Sequence, residues 1–179
     1  MKKGFSVKTL VATALGAALF FVLMKFISIP SPIPNTNFVV AYGVSTFFSV
    51  VFGPVCGALI AFIGHALPDA TAGWGIWWSW VIGSAVCGFV PGLAKIDPEK
   101  GSITKKEWVS FVVFVLIANA IAWPVVSAVG DVVIYSEVFS TVLPQLALAF
   151  VTDSLVCLVV GGALIAAYAK TITGKDTLE

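Results

Sequence analysis

Nine of the ten lysines of this chain fall into three clusters separated by long apolar stretches, and that placement restricts the fold more than any other feature. Lys2, Lys3 and Lys8 open the chain, Lys95, Lys100, Lys105 and Lys106 occupy its middle, and Lys170 and Lys175 close it. Short lysine-rich loops stay on the cytoplasmic side of a membrane. All three clusters are therefore expected on one side, with both termini inside. Between consecutive clusters the chain must then cross the bilayer an even number of times.

Composition points the same way. Apolar residues make up 59% of the chain, charged residues 11%, and mean hydropathy is +1.05. A soluble domain carries about 25% charged residues. Net charge is only +1 and there is no arginine, the usual bidentate reader of phosphates and bases, which argues against nucleic-acid binding. Cys56, Cys87 and Cys157 each lie inside an apolar run without the spacing of a metal site or a disulfide framework. They are expected as small buried hydrophobes. No metal or other cofactor is expected.

Parity sets the number of spans. The apolar run from 7 to 27 is too long for a cleaved signal sequence, whose apolar core is about 7–15 residues, and is expected as an uncleaved first span. The run 38–67 holds 30 residues without Asp, Glu or Lys. As one helix it would measure about 45 Å, well beyond a hydrocarbon core of roughly 30 Å. Gly53-Pro54 is a turn dipeptide within it. Dividing the run there gives spans near 38–52 and 55–67, and returns the middle lysine cluster to the inside. Spans near 76–94, 108–129 and 141–169 complete an all-α membrane protein, one six-transmembrane-helix bundle with both termini cytoplasmic. Residues 28–37, 68–75 and 130–140 are then outer loops. Lys25 lies near the outer end of the first span, where its ammonium can snorkel outward.

Polar residues inside such spans are the candidate site. Asp153 lies well inside the sixth span, where an ionisable group facing lipid would cost several kcal/mol. Gln145, Thr152 and Asp153 share a helical face. Asn119 and Trp123, four apart on the fifth span, form either a ligand-facing pair or helix–helix packing; Pro124 should disturb the helix there. His65 and Asp69 sit at the outer end of the third span, with Pro68 expected to end that helix. One His and one carboxylate are weak grounds for a transition metal. Trp74, Trp77, Trp78 and Trp80 crowd the loop before the fourth span. Interfacial Trp is common, but successive helical residues point in different directions, so at least one should face inward, where a flat ligand can stack. The proline-rich 28–37 loop is expected as a stiff rim or lid presenting Asn35 and Asn37. On the first span, Ala14 and Ala18 form a small-xxx-small pair that permits close helix approach.

Together these features resemble the substrate-binding S components of energy-coupling factor (ECF) vitamin transporters, and most closely their riboflavin-type branch. The stretches FSVKTLVATALGAALFFVL, SIPSPIPNTN, FGPVCGALIAFIGHALPDA and WWSWVIGS carry the resemblance. They cover roughly the first half of the chain, and the second half follows by its pattern of spans. The resemblance implies a multi-pass protein of a bacterial cell membrane that captures a vitamin from outside. It implies docking on a transmembrane coupling subunit through the first span, with Ala14 and Ala18 at the family's positions, and two partner ATPases. The absence of GxxxxGK[ST] fits that division of labour. Riboflavin and cobalamin stand as equal candidates. Two alternatives remain open: a membrane-embedded enzyme using His65, Asp69 and Asp153, or a small channel.

Overall fold

The computed structural model describes residues 6–176, with side chains to residue 172. Lys2 and Lys3, and the side chain of Lys175, lie outside the described residues. The fold is all-α apart from one small hairpin. Six helical rods follow in order: α1 (Val7–Ile27), α2 (Ala41–Phe52), α3 (Pro54–Ala70), α4 (Trp78–Leu93), α5 (Lys105–Tyr135) and α6 (Phe139–Ile172). Of these, α1, α5 and α6 are long and apolar enough to cross a membrane, while α2, α3 and α4 are shorter apolar helices. Between α1 and α2, strand β1 (Ile29–Pro30) pairs antiparallel with β2 (Asn37–Phe38), joining Ile29 to Phe38 and Pro30 to Asn37. The proline-rich loop is thus a hairpin tip closed on itself.

Local chemistry sets these boundaries. Ser6 caps α1 by accepting from the Thr9 N–H, and Thr104 and Glu107 form a reciprocal capping box at the start of α5. Gly53 separates α2 from α3 at φ 104°, a region open to glycine, and Pro54 takes the first position of α3, where a missing N–H is harmless.

One expectation about prolines needs correction, and one is borne out. Pro68 does not end α3, which runs on to Ala70. Only the last turn is affected, so few hydrogen bonds are at stake. Pro124 disturbs α5 as expected, without ending it. It sits in a π-helical turn, Ala122–Ser127, whose wider winding accommodates the ring, and the helix then continues to Tyr135. The outer loop expected at 130–140 therefore shrinks to 136–138, with Ser136 in the left-handed region at φ 56°.

Apolar side chains face both inward and outward. Leu10, Leu15, Val109, Val133 and Val159 are among the large exposed ones. The interior holds a continuous aromatic chain. Phe20 of α1 meets Tyr42 of α2 edge-on with centroids 5.3 Å apart, Tyr42 meets Trp123 of α5 at 5.5 Å, and Trp123 lies 5.3 Å from Trp80 of α4. Such pairs add about 0.5–1.5 kcal/mol each beyond burial. Cys56, Cys87 and Cys157 are buried free thiols.

The ends of the bundle differ. Ser6, Lys8, Phe52, Glu99 and Tyr168 line one small hollow, so the start of α1, the α2–α3 junction, the α4–α5 loop and the end of α6 converge. Lys8 lies over the Phe52 ring at 5.9 Å. The hairpin, the α3–α4 loop and the α5–α6 turn gather at the opposite end.

Helices α3 and α4 approach most closely at Gly57 and Gly88. A Cβ on either would strike the other's backbone carbonyl oxygen. We expect Gly57→Ala and Gly88→Ala each to destabilise the protein by about 1–3 kcal/mol, the usual cost of overpacking. Thermal unfolding of the purified protein in detergent measures this, and an unchanged midpoint would show that the pair can separate freely.

Candidate functional site

The end away from Lys8 contains a cavity of about 610 Å³. That volume falls within the roughly 300–1,000 Å³ of ordinary small-ligand sites. The hairpin and all six helices wall it, α1 through Met24 and Lys25. The hairpin contributes Asn35, Thr36 and Asn37; α2 contributes Tyr42; α3 contributes His65 and Asp69; the head of α4 and its preceding loop contribute Trp74, Trp77 and Trp80; α5 contributes Asp131. From α6 come Thr141, Gln145, Ala149 and Asp153, spaced by four and so arranged along one side of the helix.

Asp131 organises the aromatic wall. It is 1% exposed. Its Oδ1 accepts from Trp77 Nε1 at 2.8 Å and from the Ser79 hydroxyl, and its Oδ2 accepts from Trp80 Nε1 at 2.8 Å. Hydrogen bonds to a charged acceptor are among the stronger ones. Trp77 is fixed further by stacking on Tyr135, with centroids 4.1 Å apart and planes 16° from parallel, and by its backbone N–H, which donates to Asp69 Oδ2 at 3.0 Å. The Tyr135 hydroxyl in turn accepts from the Trp78 N–H at 2.8 Å. Two rings whose polar edges are held this tightly can present their faces without reorganisation.

A second polar group lies deeper. The Ser84 hydroxyl is 2.6 Å from His65 Nδ1 and 2.8 Å from the Tyr42 hydroxyl. His65 Nε2 is 3.9 Å from Asp69 Oδ1, too far for a hydrogen bond but close enough for an electrostatic contact. Asp153 is 3% exposed and borders the cavity from the α6 side. At the rim, Lys25 donates to the Thr71 carbonyl at 3.2 Å and to its hydroxyl at 2.7 Å.

The structure therefore brings together eight of the residues singled out from the sequence: Asn35, Asn37, His65, Asp69, Trp74, Trp77, Gln145 and Asp153. Three others stand apart. Asn119 and Trp123 are fully buried, and the Asn119 amide oxygen accepts from Trp123 Nε1 at 3.0 Å while its NH2 donates to the Val115 carbonyl at 3.0 Å. Their hydrogen bonds close on the helix itself, and Trp123 backs Trp80 rather than facing the cavity. Trp78 is 44% exposed and lies against Phe62. Thr152 does not line the cavity either; its hydroxyl donates to the Leu148 carbonyl at 2.9 Å. Sequence reasoning missed Asp131 and Tyr42. A lone acid among Val129, Val132 and Val133 was the available signal for the first, and the one Tyr of an apolar run for the second.

A family model described as the S component of the ECF-type riboflavin transporter matches residues 4–170. The chain belongs to that family. S components are substrate-binding subunits of transporters and not enzymes, which sets aside a catalytic role for His65, Asp69 and Asp153. Among curated relatives, a UPF0397 protein of Lactobacillus johnsonii is 41% identical over 180 residues, covering 99% of this chain and 97% of the relative. Another, of Enterococcus faecalis, is 41% identical over 181 residues, covering 100% of this chain and 99% of the relative. The family match gives cobalamin no support. Several apolar helices and a transporter family together fit a membrane protein.

Removing Asp131 should disorder the aromatic wall of this S component. Asp131→Ala strands two half-buried indole N–H groups and a buried hydroxyl, at up to about 1–3 kcal/mol for each group left unsatisfied. We expect a lower unfolding temperature and a red-shifted Trp emission from Trp77 and Trp80. An unshifted spectrum would mean that the rings hold their places without the carboxylate.

Proposed function

We propose that this S component is the membrane-embedded vitamin-capturing subunit of an ECF importer, with riboflavin as its candidate substrate. The observation that carries this is the cavity itself. Two indole rings fixed through a buried carboxylate line the same cavity as a polar stripe of α6, which suits a flat, amphipathic ring system bearing hydroxyl and N–H groups. His65, Asp69, Asn35, Asn37, Gln145 and Asp153 supply the polar contacts in this proposal, while Asn119 and Trp123 support the wall from behind.

The chain crosses the membrane six times in this account, with both termini cytoplasmic and the cavity open to the outside. The lysine clusters and the parity of the crossings favour that orientation. So does the convergence of Lys8, Phe52, Glu99 and Tyr168 at the end away from the cavity. Helix α2 has 12 residues and is only about 18 Å long, so it relies on burial against its neighbours rather than on spanning alone.

Coupling to ATP hydrolysis belongs to partners: a transmembrane coupling subunit and two ATPases. Ala14 and Ala18 are exposed on α1, beside Leu15 and Leu19, whereas Gly16 and Ala17 turn inward. That outward face is where we place the docking of the coupling subunit, by close approach over small residues.

Two measurements test this. The purified protein should bind riboflavin, read by calorimetry and by the visible absorption of a co-purified flavin. Absence of both would remove riboflavin as the substrate. Ala14→Trp or Ala18→Trp should abolish uptake in cells while leaving the binding affinity of the purified variant unchanged. Normal uptake by both variants would move the docking face elsewhere.

A further inference from the structure

We propose that the cavity selects its ligand by charge, taking a flat ring that is cationic or rich in N–H and O–H donors and rejecting the same ring when it carries a phosphate or carboxylate. The inference rests on the cavity being the vitamin site. Four carboxyl groups border it: Asp69, Asp131, Glu137 and Asp153. Against them, among the described lining residues, stands one lysine, Lys25, whose ammonium is already bound to Thr71. No Lys or His forms an ion pair with Asp131, Glu137 or Asp153 among the described residues.

The four acids are not equivalent. Asp131 is filled by two indoles and a hydroxyl, and Asp69 accepts the Trp77 N–H. These two serve the wall. Glu137 is half-buried, and Asp153 is 97% withdrawn from solvent on a helix whose other cavity-facing residues are Thr141, Gln145 and Ala149. A buried carboxyl group facing a cavity without a cation beside it is best matched by a donor or a positive charge on the ligand. An anion brought into the same space meets carboxyl oxygens whose lone pairs oppose it, and finds no arginine to hold it. The wall adds indole faces, which attract cations and are indifferent to anions.

The place to look for this preference is a set of ring probes alike in shape and different in charge. N-methylnicotinamide is cationic, nicotinamide neutral and nicotinate anionic. Each is titrated against the full chain in nonionic detergent while Trp emission is followed. Quenching is expected to fall from cation to neutral to anion, by about fivefold or more from first to last, as befits repulsion between charges several ångströms apart. In a Glu137→Gln, Asp153→Asn double variant the order should narrow to about twofold or less. Asp97→Asn, at the lysine end, should leave it as it was.

A second arm compares riboflavin with riboflavin 5′-phosphate by calorimetry on the same preparation. The phosphate ester is expected to bind at least about tenfold more weakly. Nicotinate quenching as well as N-methylnicotinamide, or the ester binding as tightly as the vitamin, would overturn charge selection. If riboflavin does not bind while the probe order persists, charge selection stands and the flavin assignment falls.

Discussion

A single carboxylate fixes the geometry on which the cavity depends. Asp131 holds the polar edges of Trp77 and Trp80 and the hydroxyl of Ser79, three residues within the first turn of α4 and just before it. To reach them it must be carried past Pro124, and the π turn over Ala122–Ser127 makes that possible by keeping α5 helical to Tyr135. The same extension delivers Tyr135 to stack on Trp77. A loop at this place would leave two indole N–H groups without acceptors, each costing about 1–3 kcal/mol when buried. The helix irregularity and the aromatic wall are thus parts of one solution.

Much of the remaining architecture follows from a core that has little hydrophobic driving force against lipid. Close packing and interhelical hydrogen bonds must hold such helices together. The small residues act accordingly: Gly57 faces Gly88 between α3 and α4, and Ser79 receives Gly130. Polar residues in the interior are satisfied in short loops of contacts, such as Tyr42 with Ser84 and His65, or Asn119 with Trp123. Such contacts satisfy Ser84, His65 and Asn119, whereas Thr46 Oγ1 and Ser154 Oγ are buried without a hydrogen-bond partner among the described residues.

The features visible in the sequence are those set by one-dimensional chemistry. Gly53-Pro54 could be read because a left-handed glycine followed by a proline has few other uses inside an apolar run. The cavity-lining role of Gln145 followed from periodicity along α6. What escaped was set by tertiary contact. Asn119 and Trp123 share a helical face as expected, but which neighbour covers that face is not written in the spacing, and here it is the back of Trp80. Asp131 was hidden because the apolar run of the fifth span reads as ending at residue 129, which left Gly130 and Asp131 in the expected 130–140 loop. The π turn that carries the helix past Pro124 has no short sequence signature.

The contrast between Asp131 and Asp153 shows how one bundle can use the same side chain in two ways. Both are nearly sealed from solvent, at 1% and 3% exposure. Asp131 has three of its lone-pair directions taken by side-chain donors, which leaves little capacity for a ligand. Its energetic role is complete before any ligand arrives. Asp153 borders the same cavity on a helix whose other cavity-facing residues include no lysine or histidine. A buried carboxyl in that setting is costly to the empty protein, and the cost falls when a donor enters. The first acid fixes the aromatic wall, and the second lies on the cavity-facing side of α6 with Thr141, Gln145 and Ala149.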